Sequence, residues 1–248
     1  MGHIRLGRLP RTRKWREVID LLQTNAPVEV VASKAVGAAK EALKTAPKDP
    51  LFLAIVDMLA RLPQEARGPG YHGAMASRGI ADLESVPGLL SGIADAIDDE
   101  SLRLGFRSDL GEIGQTALLT SLSEALTQSQ LNLFDSTPAQ IRSALGRLSS
   151  GDGFAQLARG FFARVMNQTL QYYLSRELSN HVGPGQRFAS DADRVAFDRA
   201  LERHSYESAR IVEAYAGGWY GKTIWHGDGL TSDNIQRFTD YSMRKLRG

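Results

Sequence analysis

The stretch from Phe154 to Gly185, FAQLARGFFARVMNQTLQYYLSRELSNHVGPG, constrains this chain more than any other. Apolar side chains at Phe154, Leu157, Ala158, Phe161, Phe162, Val165, Met166, Leu170, Tyr173, Leu174 and Leu178 recur in steps of three, four and one. That spacing predicts a helix with a wide apolar stripe, which is stable only when other elements cover it. The Gly183-Pro-Gly185 turn ends it.

The candidates to cover it are other helices. Trp15, Val18, Ile19 and Leu22 outline a short amphipathic helix ending before Asn25. Asn25-Ala-Pro27 reads as the cap and first turn of the next, with small residues Ala32, Ala35 and Ala39 on its inner face, and Asp49-Pro50 opens another. Val28 to Val31 has strand-like residues, but the alanines that follow favour helix. Ser85 and Ser108 mark two more helix starts, and Thr137-Pro-Ala-Gln140 spells a capping box. Ser190 with Asp193, and then Thr231, start the last helices. Two glycine-rich stretches interrupt this pattern, PQEARGPGYHGAMASRG at 63 to 79 and GGWYGKTIWHGDG at 217 to 229, and both predict loops.

The expected fold is therefore all-α, a globular protein of about nine or ten helices. Its organisation is expected to be a basic N-terminal arm over 1–14, a helical subdomain over 15–150, and a second over 151–248 that carries the glycine and aromatic loop 217–229. The two subdomains are expected to pack together near residues 150 to 153.

Composition removes several function classes. There is no cysteine, hence no disulfide, thiolate metal site or thiol nucleophile. The longest apolar run, Leu51 to Val56, is far below the roughly 20 residues that span a bilayer. Without an apolar signal segment behind the basic N-terminus, the expected location is the cytoplasm, and the excess of arginine over lysine suggests a bacterial source. There is no G-x-x-x-x-G-K-[ST], no dinucleotide G-x-G-x-x-G following a strand, no H-E-x-x-H and no G-x-S-x-G. His226 and Asp228 offer two metal ligands, too few for a site, so neither a metal nor a cofactor is expected.

Charge is unevenly placed. Residues 1 to 16 carry Arg5, Arg8, Arg11, Arg13, Lys14 and Arg16 and no acid, whereas Gly79 to Asp135 holds ten acids against Arg103 and Arg107. Such an arm can seek nucleic acid, an acidic protein surface, or the acidic middle of its own chain. Ile4, Leu6, Leu9 and Pro10 between the arginines favour docking onto a surface over a purely electrostatic tail. Trp219, Tyr220 and Trp225, near Lys222 and Arg237, can stack bases or receive a partner peptide; alternatively they anchor their loop against the last helix.

One spacing suggests catalysis. Arg176-x4-His181, at the end of the long helix, resembles the arginine, four to six residues, histidine motif of the HEPN superfamily, helical proteins that include metal-independent ribonucleases. The resemblance implies that His181 assists attack of a 2′-hydroxyl and Arg176 holds the phosphate, in a site often completed by a second subunit. Arg67-x4-His72 and Arg199-x4-His204 have the same spacing. Alternatively, Arg176 and His181 are cations placed favourably at a helix carboxyl end. The sequence thus favours a non-enzymatic interaction or adaptor component of a larger intracellular assembly, with other protein subunits and nucleic acid as candidate partners and no membrane. The alternative is the ribonuclease.

Overall fold

The structure, a computed structural model, describes residues 2–4, 12–129, 136–226 and 229–247, apart from the side chains of 2–4, 41, 42, 176 and 226. Its elements are β1 (Gly2–Ile4), α1 (Arg13–Gln23), α2 (Val28–Leu43), α3 (Pro50–Arg67), α4 (Tyr71–Ser77), α5 (Val86–Leu104), β2 (Phe106–Ser108), α6 (Asp109–Gln128), α7 (Pro138–Arg147), α8 (Gly151–Leu178), α9 (Asp191–Ser208), α10 (Arg210–His226) and α11 (Ser232–Leu246). Short 3₁₀ turns follow α2 and α8. The fold is all-α apart from the two three-residue strands. No helix among the described residues is long and apolar enough to cross a membrane.

Local chemistry sets most helix starts. Side chains of Thr12, Asp49, Ser85, Ser108, Ser150 and Thr231 each accept a backbone N–H in the first turn of the helix they precede. Thr137 with Gln140, and Ser190 with Asp193, close complete capping boxes. Each such cap contributes about 1 kcal/mol by satisfying donors that the helix cannot.

Asn25 behaves differently from its expected role. Its φ of 54° places it in the left-handed region just past α1. The N–H groups of Asn25 and Ala26 bond back to the carbonyls of Leu22 and Leu21, closing α1 in a Schellman turn with asparagine where glycine is commoner. Asparagine therefore ends one helix here instead of capping the next. From the far side of the sequence, Arg187 donates to the carbonyls of Leu21, Leu22 and Ala26 and locks this end.

α8 is the central element. It packs against α10, α6, α9, α2 and α11. Phe154, Phe161, Phe162, Val165 and Leu174 are completely buried along it, and the buried apolar side chains form one continuous cluster from Trp15 to Leu246. Burying a side chain of this size stabilises the fold by roughly 1.5–3 kcal/mol before entropy is counted, so α8 alone supplies a large share of the driving force.

Both stretches expected as loops contain helix. α3 continues through Pro63 to Arg67, and Tyr71 to Ser77 forms α4. More consequentially, residues 217 to 226 complete α10. The reason is close approach: a Cβ at Gly217 would lie 2.5 Å from the carbonyl oxygen of Gly151, so the paired glycines let α10 cross the start of α8 backbone to backbone. Their role is packing and not chain reversal.

The arm begins as a strand. Gly2, His3 and Ile4 pair in parallel with Phe106, Arg107 and Ser108, inside the acidic middle of the chain.

Candidate functional site

α3 delivers Arg67 as its last residue, and a Gly68-Pro-Gly70 link turns the chain directly into α4, which opens with Tyr71 and His72. α7 lies across this corner. A Cβ at Gly146 would already meet the backbone nitrogen of Arg67 at 3.5 Å, so α7 sits close to the end of α3. From α7, Arg142 donates through Nε to the carbonyl of Ala66 at 3.0 Å and through Nη2 to that of Gly68 at 2.7 Å. These carbonyls lie at the carboxyl end of α3, where a cation is favourable. The same guanidinium stands 5.3 Å from the centre of the Tyr71 ring. Burial raises the Tyr71 phenol above its usual range, with the Arg142 charge opposing the shift.

Between these elements opens a cleft of about 940 Å³. The guanidinium groups of Arg67, Arg142 and Arg147 and the imidazole of His72 line it, and no carboxylate lines it among the described residues. Arg147 donates to the hydroxyl of Ser143 at 3.2 Å. Arg67 is exposed and makes no hydrogen bond or ion pair with a described residue. Ala66, Leu83, Pro138 and Ala139 make an apolar wall. At the outer end of α4, Arg78 pairs with Glu65 at 2.7 Å, both only about one-fifth exposed, and ties α4 back to α3. The corner is thus held by bonds that leave Arg67, His72 and part of Arg147 facing the opening.

No protein-family model matches the chain, and neither a curated protein nor a solved structure resembles it significantly. The chemistry of the cleft rests on its own residues.

The residues singled out from sequence fall elsewhere. Arg5, Arg8 and Arg11 lie outside the described residues. Arg13, Lys14 and Arg16 are exposed on the first turn of α1, where Arg13 pairs with Glu17 at 3.4 Å. Tyr220 is completely buried, stacks on Phe154 at a centroid distance of 4.0 Å, and donates its hydroxyl to the carbonyl of Ala60 at 2.8 Å. Burial drives its phenol strongly upward. Trp219 stacks on Phe238 of α11, also at 4.0 Å. Both rings therefore anchor α10 to the core and the last helix, the alternative role considered for them, and Tyr220 has no surface to offer a partner. Trp225, 72% exposed, does.

His181 sits in the 3₁₀ turn after α8, 7% exposed, and its carbonyl accepts from the N–H of Phe188. It lines a smaller cleft of about 360 Å³ with Glu177, Asn180 and Arg187. Arg187 is already committed to the end of α1, and Glu177 adds a carboxylate that would repel phosphate. The side chain of Arg176 lies outside the description. Arg199 and His204 both belong to α9, five positions apart. Of the three equivalent spacings, Arg67 and His72 both line the cleft that Arg142 and Arg147 share.

Arg142 and Arg147 had no signal in the sequence. They stand 75 and 80 positions after Arg67, and folding alone assembles them with it. His226 and Asp228 offer no test of metal binding, since the side chain of the first and the whole of the second lie outside the description; no cluster of three or more potential ligands occurs among the described residues.

Proposed function

We propose that this protein is a helical interaction component of a larger intracellular assembly, and that it captures an anionic group of its binding partner in the cleft between α3, α4 and α7. The observation that carries this is the lining: the guanidinium groups of Arg67, Arg142 and Arg147 beside His72, with no carboxylate among the described lining residues. Cations gathered on one concave surface repel one another and gain from any anion that enters, because low-dielectric walls strengthen the attraction. Since the protein as a whole carries a formal net charge of only +2, that concentration belongs to the cleft.

Thermal unfolding with inorganic pyrophosphate and with polyglutamate tests it. Ligand at one hundred times Kd adds about 2.7 kcal/mol, which for a chain of this length raises the midpoint by roughly 5–10 °C. The Arg67→Glu/Arg147→Glu variant is expected to fold and to lose that response, since both side chains are exposed. A wild type indifferent to both probes, or a double variant that responds as wild type does, overturns the proposal.

A second reading has one specific observation in its favour: the cleft holds an arginine and a histidine at the spacing that resembles the HEPN ribonuclease motif, Arg67 and His72. Histidine can exchange a proton with a 2′-hydroxyl near neutral pH while guanidinium groups hold the phosphate. If so, RNA is cleaved in the presence of a chelator, and His72→Ala lowers the rate by about 10²-fold or more while His181→Ala leaves it intact. Cleavage that survives His72→Ala removes this assignment.

A further inference from the structure

The charge and size of the cleft narrow the anion it takes, granted that it is an anion site. Arg67 and Arg147 are the closing residues of α3 and α7, and Arg142 bonds to carbonyls at and just past the end of α3. Each helix carboxyl end contributes roughly half a negative charge, so the two ends offset about one of the three guanidinium charges and leave about two positive charges uncompensated. One carboxylate is too little to balance them. A phosphate monoester, with about −1.5 to −2 charges near neutral pH, matches them, as do two neighbouring phosphodiesters.

Donor geometry points the same way. Guanidinium groups present N–H pairs suited to phosphate oxygens. The Ser143 hydroxyl accepts from Arg147 and so keeps its own hydrogen to donate. Arg142, fixed by two carbonyls and set over Tyr71, is a positioned charge that need not be ordered on binding.

Size adds the rest. A volume of about 940 Å³ is near the top of the range, roughly 300–1,000 Å³, that receives whole small-molecule ligands, and far exceeds what a lone phosphate occupies. Leu83, Pro138 and Ala139 supply apolar surface beside the cations. A ligand that uses both has a phosphate at one end and a flat, weakly polar body at the other. We propose that the cleft binds a nucleoside phosphate, with Arg67, Arg142 and Arg147 on the phosphate and the base against the wall formed by Leu83 and the first turn of α7.

Two sources share that chemistry, a free nucleotide and a nucleotide within single-stranded RNA. Titration calorimetry on the full chain separates them, using AMP, ribose 5-phosphate, adenosine, a single-stranded RNA of roughly eight nucleotides, and polyglutamate as probes. AMP or the RNA is expected to bind about tenfold or more tightly than ribose 5-phosphate or adenosine, since each of those lacks one of the two contacts. Stronger binding of AMP identifies the free nucleotide, and stronger binding of the RNA identifies the strand.

Arg67→Ala and Arg147→Ala are each expected to weaken the better ligand by about tenfold. Ala139→Glu gives an independent variant: the position is exposed, a carboxylate in a first helical turn favours the helix, and the same carboxylate enters the cleft. It is expected to keep the helical circular dichroism and thermal midpoint of wild type and to lose nucleotide binding. Polyglutamate binding without AMP or RNA binding overturns the nucleoside phosphate while leaving the anion site standing. AMP no tighter than ribose 5-phosphate, with RNA also no tighter, removes the base contact and overturns it too. If no anion binds at all, both proposals fall.

Discussion

Phe154→Ala is expected to lower the unfolding free energy by about 3–5 kcal/mol, the range for removing a large buried aromatic side chain. Phe154 has no solvent exposure and lies in the first turn of α8, where α8, α10 and α11 meet. Its ring stacks on Tyr220 with an interplanar angle of 11°, and Trp219 and Phe238 lie within 6.0 Å. Truncation would leave a void bounded by three rings that cannot all close on it, and would release Tyr220, whose hydroxyl links α10 to α3 through Ala60. Denaturant unfolding is the measurement, read as a fall in midpoint at unchanged slope. Phe154→Leu, which keeps most of the volume, is expected to recover more than half of the loss; equal losses in the two variants would show that packing volume is not what Phe154 supplies.

The second large effect comes from two adjacent glycines of opposite sign. Gly217→Ala is expected to cost about 2 kcal/mol, because its Cβ meets the Gly151 carbonyl oxygen at 2.5 Å and carbon at 3.0 Å, and backbone cannot rotate away as a side chain can. Gly218→Ala places its Cβ in open space, with nothing within 4 Å, and should stabilise by roughly 0.5–1 kcal/mol by restricting the unfolded chain within a helical position. Measured side by side at the same slope, the two midpoints should move in opposite directions. A stabilising Gly217→Ala would mean that α8 and α10 do not approach as closely as described.

How far the sequence foretold this molecule depends on the range of the interaction involved. The stripe of α8 and the caps at Ser85, Ser108, Thr137, Ser190 and Thr231 were legible because each is written within a few residues. Asn25 was not, since the same side chain suits an N-cap and a left-handed closing residue, and only the course of the chain decides. Gly217 and Gly218 read as a loop because glycine disfavours helix on its own; what overrides that cost is the backbone of Gly151, more than sixty residues earlier. The three-residue strands are too short to show a period of two.

The same division holds for the cleft. Arg67 and His72 were visible as a spacing, yet nothing ranked them above Arg176 and His181. The distinction came from Arg142 and Arg147, whose helix face is decided by packing of α7 on α3. Conversely, Trp219 and Tyr220 look available because aromatic residues beside glycines resemble a binding loop, whereas the stacking that anchors both, and buries Tyr220, requires Phe154 and Phe238.

Arg187 gives the N-terminal helix an unusual dependence on time. The carbonyls of Leu21, Leu22 and Ala26 at the end of α1 receive a guanidinium donor from a residue 161 to 166 positions downstream. At a synthesis rate of about 5–20 residues per second, that donor leaves the ribosome roughly 8–30 s after the carbonyls do. During that interval α1 is closed by local bonds alone, its Schellman turn and the Thr24 hydroxyl on the carbonyls of Asp20 and Leu21, so its tertiary lock arrives long after the helix itself is made.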